Sequence, residues 1–533
     1  MKKVLPGILL ALIIASPLCA KTHSSKTFLM PKSNNPELGM EYTTWHKQIK
    51  LQDEDKFGGT VQAIPFYQES DNKEDLGKYF GIFNKFSNHI IEDFIMVDDN
   101  VGTQLYTNDI IHFYAWSDDD FEAANLLEKI TFRPYQTSYG VRLHYHQKLD
   151  KLLDGLYLKI DAPLVCVKTS MGYTSSSQAG QKLFANGDYT NTTNGLYIDP
   201  DSTTGAEKTL EDYLTGDLEN TATHAKQVPL THYKIHNGQS ETGIADIKVT
   251  LGYNILNEQD KHVGFYASLL IPTGTTPEGI YRFEPIVGNG NHWAVGGGID
   301  AAFELWKEDT KSLEVGFIVD VQYLFKGTEK RTLDFKYADT TDFSYTNQRA
   351  TWGPYLLGGK SGDTFATPLA NFLTQDVDVS PGVQVNGMVN ATFNWGDWTI
   401  DLGYEVYYKE QEIVAVQAWD DGTYGTADWN WDTTKAFITG TTSVYETIYR
   451  GANANAYTSA YDLTKITIDQ SCLLTADAET PSYLTHKVFG GVGYIFNKWD
   501  YPLMLGLGGN YTFATGNSAL EGWAAYGKVG IAF

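Results

Sequence analysis

The feature that most constrains this chain is a strict two-residue alternation of apolar and polar side chains. From Val383 to Trp395 the odd-numbered positions carry valine, glycine, alanine, phenylalanine and tryptophan, and the even-numbered positions carry mainly polar residues. The pattern resumes after Gly396-Asp397, a minimal hairpin connection, and continues to Tyr408. Because successive side chains of a strand point to opposite faces, the pattern predicts two antiparallel strands with one apolar and one polar face.

The same alternation recurs along most of the chain and predicts eleven strands, at 138–148, 155–167, 243–255, 262–271, 291–305, 313–325, 383–395, 397–409, 485–496, 502–513 and 521–533. A further strand at Gly59–Tyr67 makes the number even. Strands of about 11–13 residues are long for a globular sheet and suit a tilted membrane strand. The polar faces carry charges, whereas the inner faces of a soluble sandwich are apolar.

The chain is therefore predicted to be all-β, a closed antiparallel transmembrane β-barrel of 12 strands spanning residues 58–533. An extra hairpin from Gly77–Phe86 and Ile110–Trp116 would make 14 strands. Short and long connections alternate, as short periplasmic turns and long extracellular loops do in outer-membrane barrels. The long outer loops fall at 68–137, 168–242, 326–382 and 410–484, and a shorter one falls at 272–290. Residues 21–57 lack a clear period and are predicted to form a periplasmic N-terminal tail.

The N-terminus predicts export. Lys2 and Lys3 precede an apolar stretch, and Ala20 ends a suitable cleavage site, so residues 1–20 form a predicted Sec-type signal peptide. Lipidation at Cys19 is an alternative, although Leu18 is large where such sites prefer a small residue. Of the remaining cysteines, Cys166 and Cys472 either form a disulfide or stay separate thiols.

The C-terminus and the aromatic residues indicate a bacterial outer membrane as the location. The last predicted strand ends in Phe533, which resembles the signal recognised by the outer-membrane assembly machinery. Trp395 and Trp398 flank a turn on the apolar face, where a membrane girdle belongs. We expect outer-membrane lipid and this machinery as partners.

Composition and motifs argue against several other functions. A net charge of −25 disfavours nucleic-acid binding, which needs basic residues. The chain has no P-loop, dinucleotide-binding or zinc-ligand spacing, so no cofactor and no metal is predicted. The strand histidines lack a serine or acid in a usable order, so the protein is not predicted to be an enzyme. Acidic runs such as Asp420-Asp421 match no full calcium loop, and we expect solvated, mutually repelling loops.

The alternation also assigns side chains to the barrel lumen. Basic residues lie on the second and third strands, and acidic residues lie mainly on the sixth, seventh and ninth. In a ring of twelve, strands two and three lie roughly opposite eight and nine, so one wall is predicted to be basic and the facing wall acidic. The predicted lumen-lining residues are Arg142, His144, His146, Lys159, Asp246, Lys248, Asp300, Glu304, Glu314, Asp320, Asp401 and Glu405. Opposed basic and acidic walls would orient dipolar solutes in a porin-like channel or transporter for small solutes.

A plugged lumen is the alternative to this open channel. Side chains fill the interiors of small barrels, so salt bridges could also plug a lumen of twelve strands. The protein would then be a surface-exposed structural or adhesion barrel that acts through its acidic, aromatic-rich outer loops.

Two short motifs add a family resemblance. Gly243-Ile244-Ala245-Asp246 opens one predicted strand, and Pro272-Thr273-Gly274 closes the next. This pairing resembles the outer-membrane transporters linked to the MetA pathway of phenol degradation, although the loops here are much longer. The resemblance implies a barrel and the uptake of small organic molecules, without fixing a substrate.

Overall fold

Twelve antiparallel strands follow one another around a closed ring in the computed structural model. The model describes residues 26–33, 37–44, 58–81, 88–92, 127–177, 210–217, 228–258, 260–336, 353–355, 357–360, 367–421, 424–426 and 468–533. The barrel strands are β1 (Gly59–Ser70), β2 (Tyr135–Lys148), β3 (Leu156–Ser170), β4 (Ile247–Asn257), β5 (Lys261–Ile271), β6 (Ala294–Glu308), β7 (Lys311–Leu324), β8 (Gly382–Trp395), β9 (Trp398–Lys409), β10 (Tyr483–Phe496), β11 (Leu503–Ala514) and β12 (Gly522–Ala532).

The ring closes between its first and last strands. β1 pairs with β2 on one side and with β12 on the other. At the seam Gly59 and Phe533 exchange two backbone hydrogen bonds, of 2.8 and 2.9 Å. The predicted twelve-strand barrel is confirmed. Part of the hairpin considered for a fourteen-strand barrel is helical instead, and its segments 82–87 and 110–116 lie outside the described residues.

One strand of the ring is interrupted. The short strand Gln239–Ile244 pairs with the second half of β3, and β4 pairs with the first half. Between them Ala245 donates its N–H to the carbonyl of Pro163 at 2.8 Å. The alternation predicted Ala245 on the apolar outer face, but the break turns its side chain into the interior, where it is fully buried.

The outer face of the ring is apolar. Exposed side chains include Leu143, Leu251, Phe265, Val319, Leu402 and Leu507. Trp395 is 58% exposed and Trp398 50% exposed, and they are directly paired across β8 and β9. An apolar band that ends in aromatic side chains is the surface of an outer-membrane-type β-barrel. No helix among the residues described above is long and apolar enough to cross a membrane.

Short turns join the strands at one end of the barrel, which we call the turn end. One of the two-residue turns is Gly396-Asp397, where Gly396 has φ +58°, a conformation that glycine adopts without strain. The long connections all leave the opposite end, which we call the cap end. Residues 1–20, the predicted signal peptide, lie outside the described part of the chain.

The long connections fold over the cap end. They contain the helices α2 (Lys73–Phe80), Leu210–Thr215 and Ala370–Leu373 and the 3-10 turns Gly353–Tyr355, Gln470–Cys472 and Thr475–Ala478. A shorter helix, α1 (Leu38–Tyr42), precedes the barrel in the chain. Their short strands form four small sheets: Asn88–Glu92 with Leu127–Thr131 and Thr174–Ser177; Gly327–Thr332 with Thr374–Ser380 and Ile413–Val416; Asp334–Phe335 with Leu473–Leu474; and Thr367–Pro368 with Leu357–Lys360 and Tyr424–Thr426.

These connections share an apolar core. Tyr79, Phe80, Tyr213, Tyr355 and Leu373 are each fully buried in one cluster that draws on several loops. The expectation of solvated, mutually repelling loops is therefore wrong for the described part of the cap. Acidic composition concealed the aromatic residues that pack there, because they are dispersed along the loops without a period.

The outward orientation of Leu402 can be tested by charge substitution. Its side chain is 65% exposed near the middle of β9. Leu402→Arg should cost about 2–4 kcal/mol of folding free energy in lipid, since it places a charge near the bilayer midplane. The matched control is Leu152→Arg in the turn after β2, where a 73% exposed side chain lies off the strands and the change should be within about 0.5 kcal/mol. Urea titration of folding into vesicles measures both, and equal effects would contradict the assignment of the outer face.

Candidate functional site

The predicted lumen residues lie on the buried face of the sheet, opposite the exposed apolar side chains. All but Glu304 are buried, namely Arg142, His144, His146, Lys159, Asp246, Lys248, Asp300, Glu314, Asp320, Asp401 and Glu405. Glu304 is partly exposed beside an irregularity in β6 near the turn end. Because the ring is closed, this buried face encloses the barrel interior.

The interior is occupied by the chain's own N-terminal segment. We call residues 26–33 and 37–44 the plug. They contact inner-face residues of β3, β6, β9, β10 and β12, and only a segment inside the ring can reach all of these strands. The prediction of a periplasmic tail at 21–57 is wrong for these residues. No period marked them because α1 is five residues long and the flanking pieces are irregular.

The plug runs along the barrel from the cap end to the turn end. At the cap end Lys26 donates its N–H to the carbonyl of Tyr79, and the carbonyl of Phe28 accepts a hydrogen bond from the Tyr79 hydroxyl. At the turn end the Thr44 N–H donates to Asp401 at 2.6 Å. The described residues of the plug therefore extend from one end of the ring to the other.

Ion pairs hold the plug to one side of the wall. Lys32 lies 2.8 Å from Glu405, and Glu37 makes a close ion pair with Lys487. The Lys487 ammonium is also 3.9 Å from Glu405. All of these side chains except Lys32 are at least nine-tenths buried, so each charge depends on its neighbours for compensation.

Hydrogen bonds hold the plug to the other side. The Glu41 carboxylate lies 3.3 Å from the Lys159 ammonium. Tyr42 donates its hydroxyl proton to Asp300 at 3.2 Å, and His262 contacts the same carboxylate at 3.0 Å. Lys159 and Asp300 of the wall are thus joined through Tyr42 of the plug, whereas Lys248 and Asp320 pair directly at 2.7 Å.

The sequence assignment omitted Lys487 and Lys528, two of the basic residues on the inner face. Lys487 pairs with the plug, and Lys528 donates to the backbone carbonyls of Glu41 and Thr43 at 2.8 and 2.5 Å. The alternation in β10 and β12 would have assigned both to the interior. A division into a basic wall and an acidic wall therefore omits Lys487, which lies 3.9 Å from Glu405, and Lys528.

Apolar side chains of α1 fill two inner patches. Met40 packs in a cluster that includes Ile64, Phe66 and Tyr526. Leu38 and Tyr42 pack in a second cluster with Ile318, Met388 and Phe489. The fit is close, since a Cβ on Gly39 would lie 3.0 Å from Cδ1 of Phe489.

The motif residues Asp246 and Thr273 meet beside the plug. Asp246 is fully buried and lies 3.4 Å from the Ser33 hydroxyl of the plug. Thr273 donates its hydroxyl proton to the carbonyl of Ala245 at 2.8 Å. The two short motifs therefore brace the interruption before β4.

A buried ion network lies at the cap end beside the first residues of the plug. Arg331 pairs with Glu412 at 2.6 Å and with Glu329 at 2.7 Å. Its guanidinium carbon lies 3.7 Å from the centre of the Phe28 ring of the plug. Although burial alone would raise it, the pKa of Glu412 is held well below its usual range by Arg331 and Lys409. The carboxylate is therefore charged at neutral pH and ties the cap to the first plug residues.

The remaining predicted features have no role in this site. Cys166 and Cys472 are both free thiols, so they do not form the disulfide that the sequence left open. Asp421 accepts the N–H of Gln470 at 2.6 Å within the cap. Trp395, Trp398 and Phe533 are exposed on the outside of the ring.

Comparisons with known proteins give distant structural similarity only. No protein-family model and no curated protein sequence matches the chain. An outer membrane channel from Pseudomonas putida F1 aligns at 10% identity and a TM-score of 0.35, covering 91% of this chain and 100% of that one. The Pseudomonas putida toluene transporter TodX aligns at 8% identity and a TM-score of 0.31, covering 96% of this chain and 97% of that one. A Pseudomonas aeruginosa FadL homologue aligns at 8% identity and a TM-score of 0.27, covering 95% of this chain and 98% of that one.

These scores carry no conclusion about function. The resemblance to the transporter family of phenol degradation therefore stays a prediction. The barrel assignment rests on the closed ring and its apolar outer face.

A double-mutant cycle tests the ion pair between plug and wall. Glu37→Gln and Lys487→Met should show a coupling energy of about 1–3 kcal/mol, because either single change leaves a buried charge without its nearest partner. Urea unfolding of the four proteins in vesicles gives this energy. Combining Glu37→Gln with Lys78→Met, which removes a half-exposed ion pair on α2, should be additive within about 0.5 kcal/mol. Additivity in both cycles would contradict the placement of the plug.

Proposed function

We propose that this protein is an outer-membrane channel or transporter for small solutes and that its plug gates the lumen. The observation that carries the proposal is a closed barrel whose interior holds a separate segment of the same chain. That segment is joined to the wall by side-chain contacts and not by strand pairing. It can therefore move without breaking the hydrogen bonds that close the ring.

The chemistry of these contacts supports movement of the plug. Lys32, Glu37, Glu41 and Thr44 are held by charges and hydrogen bonds that water can replace when the interior hydrates. A hydrated lumen also screens the wall charges that the plug now compensates. The bound and displaced states of the plug are therefore closer in free energy than a purely apolar plug would allow.

The inner patches under α1 suggest the class of solute. Withdrawal of Met40 and Leu38 would uncover Ile64 and Phe66 on one side and Met388 and Phe489 on the other. Apolar surface flanked by charged side chains suits small organic molecules with an apolar body and a polar group. We propose such molecules as the solutes.

A structural or adhesion barrel is the second candidate. The observation that favours it is the cap, in which several long loops share one apolar core and present a folded surface. In that case the plug would be a permanent filling, and displacing it would have no role. The two proposals differ in whether solutes pass when the plug is free to move.

A disulfide lock separates the two candidates. A Cβ on Gly506 would lie 3.6 Å from the Cβ of Thr44, within the range for a disulfide. The double variant Thr44→Cys, Gly506→Cys, with Cys166 and Cys472 replaced by serine, should form this bond under oxidising conditions. We expect solute uptake into proteoliposomes to fall at least about tenfold when the lock forms and to recover on reduction, because the plug must leave the turn end.

The same protein before and after reduction is its own control, and the serine-only background reports any effect of the reductant. Equal uptake in the locked and reduced states would contradict gating by the plug. A folded barrel that passes no solute in either state would favour the structural candidate.

Charge reversal tests the acidic part of the lumen. Asp401→Lys with Glu405→Lys should lower cation preference in planar bilayers, seen as a shift in reversal potential, because both carboxylates face the interior. Exchanging Asp376 and Asp378 of the cap for lysine is the matched control and should leave the reversal potential unchanged. An unchanged potential in the lumen variant would refute a conducting path along β9.

A further inference from the structure

A histidine and two carboxylates meet where the plug touches the wall. His144 comes from β2, Asp161 from β3 and Glu41 from the plug. Each offers one ligand atom, and these atoms all lie within 4.8 Å of one another. From these contacts we propose that the cluster binds one divalent transition-metal ion, Zn²⁺ or a similar ion, that fastens the plug to the barrel wall.

The orientation of the imidazole supports the proposal. Nδ1 of His144 lies 2.6 Å from Oδ1 of Asp161, and an ionised carboxylate can only accept, so Nδ1 carries the proton. The lone pair is then on Nε2, which faces Oε1 of Glu41 at 3.9 Å. A carboxylate that orients a histidine toward a metal is the usual arrangement around such ligands.

The spacing is close to that of a metal site. Two ligands at about 2.0–2.2 Å from a tetrahedral ion are about 3.4 Å apart, so Glu41 and His144 need to approach by roughly 0.5 Å. Glu41 is the residue placed to make this approach, since it stands on the one-turn helix α1 of the plug and not on a barrel strand. Glu41, His144 and Asp161 also line a cavity between the plug and the wall. This cavity leaves room for water on the open positions of the ion.

The nearby cations set the strength of the site. Lys159 lies 3.3 Å from Oε1 of Glu41 and competes with a metal for that carboxylate. Its ammonium also donates to the Tyr42 hydroxyl, so it keeps a partner when Glu41 turns to the ion. The lining residue Arg142 adds further repulsion. Removing the charge of Lys159 should therefore strengthen metal binding.

Metal selectivity follows from the ligands. An imidazole nitrogen with a carboxylate oxygen and water suits Zn²⁺, whereas Mg²⁺ prefers oxygen ligands in octahedral geometry. Sequence spacing could not reveal the site, because its ligands His144 and Glu41 are far apart in the chain and Glu41 belongs to the plug.

Titration of the full-length protein in detergent with ZnCl₂ tests the proposal by calorimetry. The wild type should bind one Zn²⁺ that excess Mg²⁺ does not displace. His144→Gln should weaken this binding at least about tenfold, Asp161→Asn about 10–100-fold, and Lys159→Met should strengthen it about tenfold. His486→Gln is the matched control, a histidine of β10 that contacts Tyr404 outside the cluster, and should bind as the wild type does.

Heat-modifiability on gels establishes that each variant is folded, and Asp161→Asn keeps the test decisive if His144→Gln does not fold. Binding that is equal in the wild type and the folded cluster variants would overturn the proposal. Absence of a Zn²⁺ site in the wild type, or equal loss in His486→Gln, would also overturn it.

Discussion

Closure of the backbone hydrogen bonds around the ring is the constraint on which the rest of the structure depends. In lipid each unsatisfied N–H or C=O group costs several kcal/mol, so a sheet can cross only if it has no free edge. The pairing of β1 with β12 removes that edge, and Gly59 and Phe533 complete it at the turn end. Once the ring is closed, one face of every strand meets lipid and the other is enclosed.

Enclosure creates the second problem, which is a set of charges with little water. Glu405, Lys487 and Asp401 are almost fully buried, and an uncompensated charge in such a place costs several kcal/mol. The plug supplies Lys32, Glu37 and the Thr44 N–H to these groups. The plug therefore supplies the charges and hydrogen bonds that compensate the buried charges of the lumen. Because water can replace the same contacts, the plug can leave the wall when water enters.

The sequence predicted the barrel because alternation is a local property of each strand. It missed the plug because the contacts that define it are remote, as between Glu37 and Lys487, and because α1 is too short to show a period. It missed the core of the cap because residues such as Tyr79 and Tyr355 are scattered through polar loops. It failed at Ala245 because a break in strand pairing reverses the side-chain direction locally, which composition does not reveal.

The central claim is that residues 37–44 lie inside the closed barrel, and hydrogen–deuterium exchange of the membrane-embedded protein tests it most directly. Peptides from this segment should exchange slowly, close to the rate of peptides from β9 and β10, because the wall shields them and Asp401 accepts the Thr44 N–H. Exchange within seconds, at the rate of an unstructured peptide, would show that the segment is a free tail and would contradict the account.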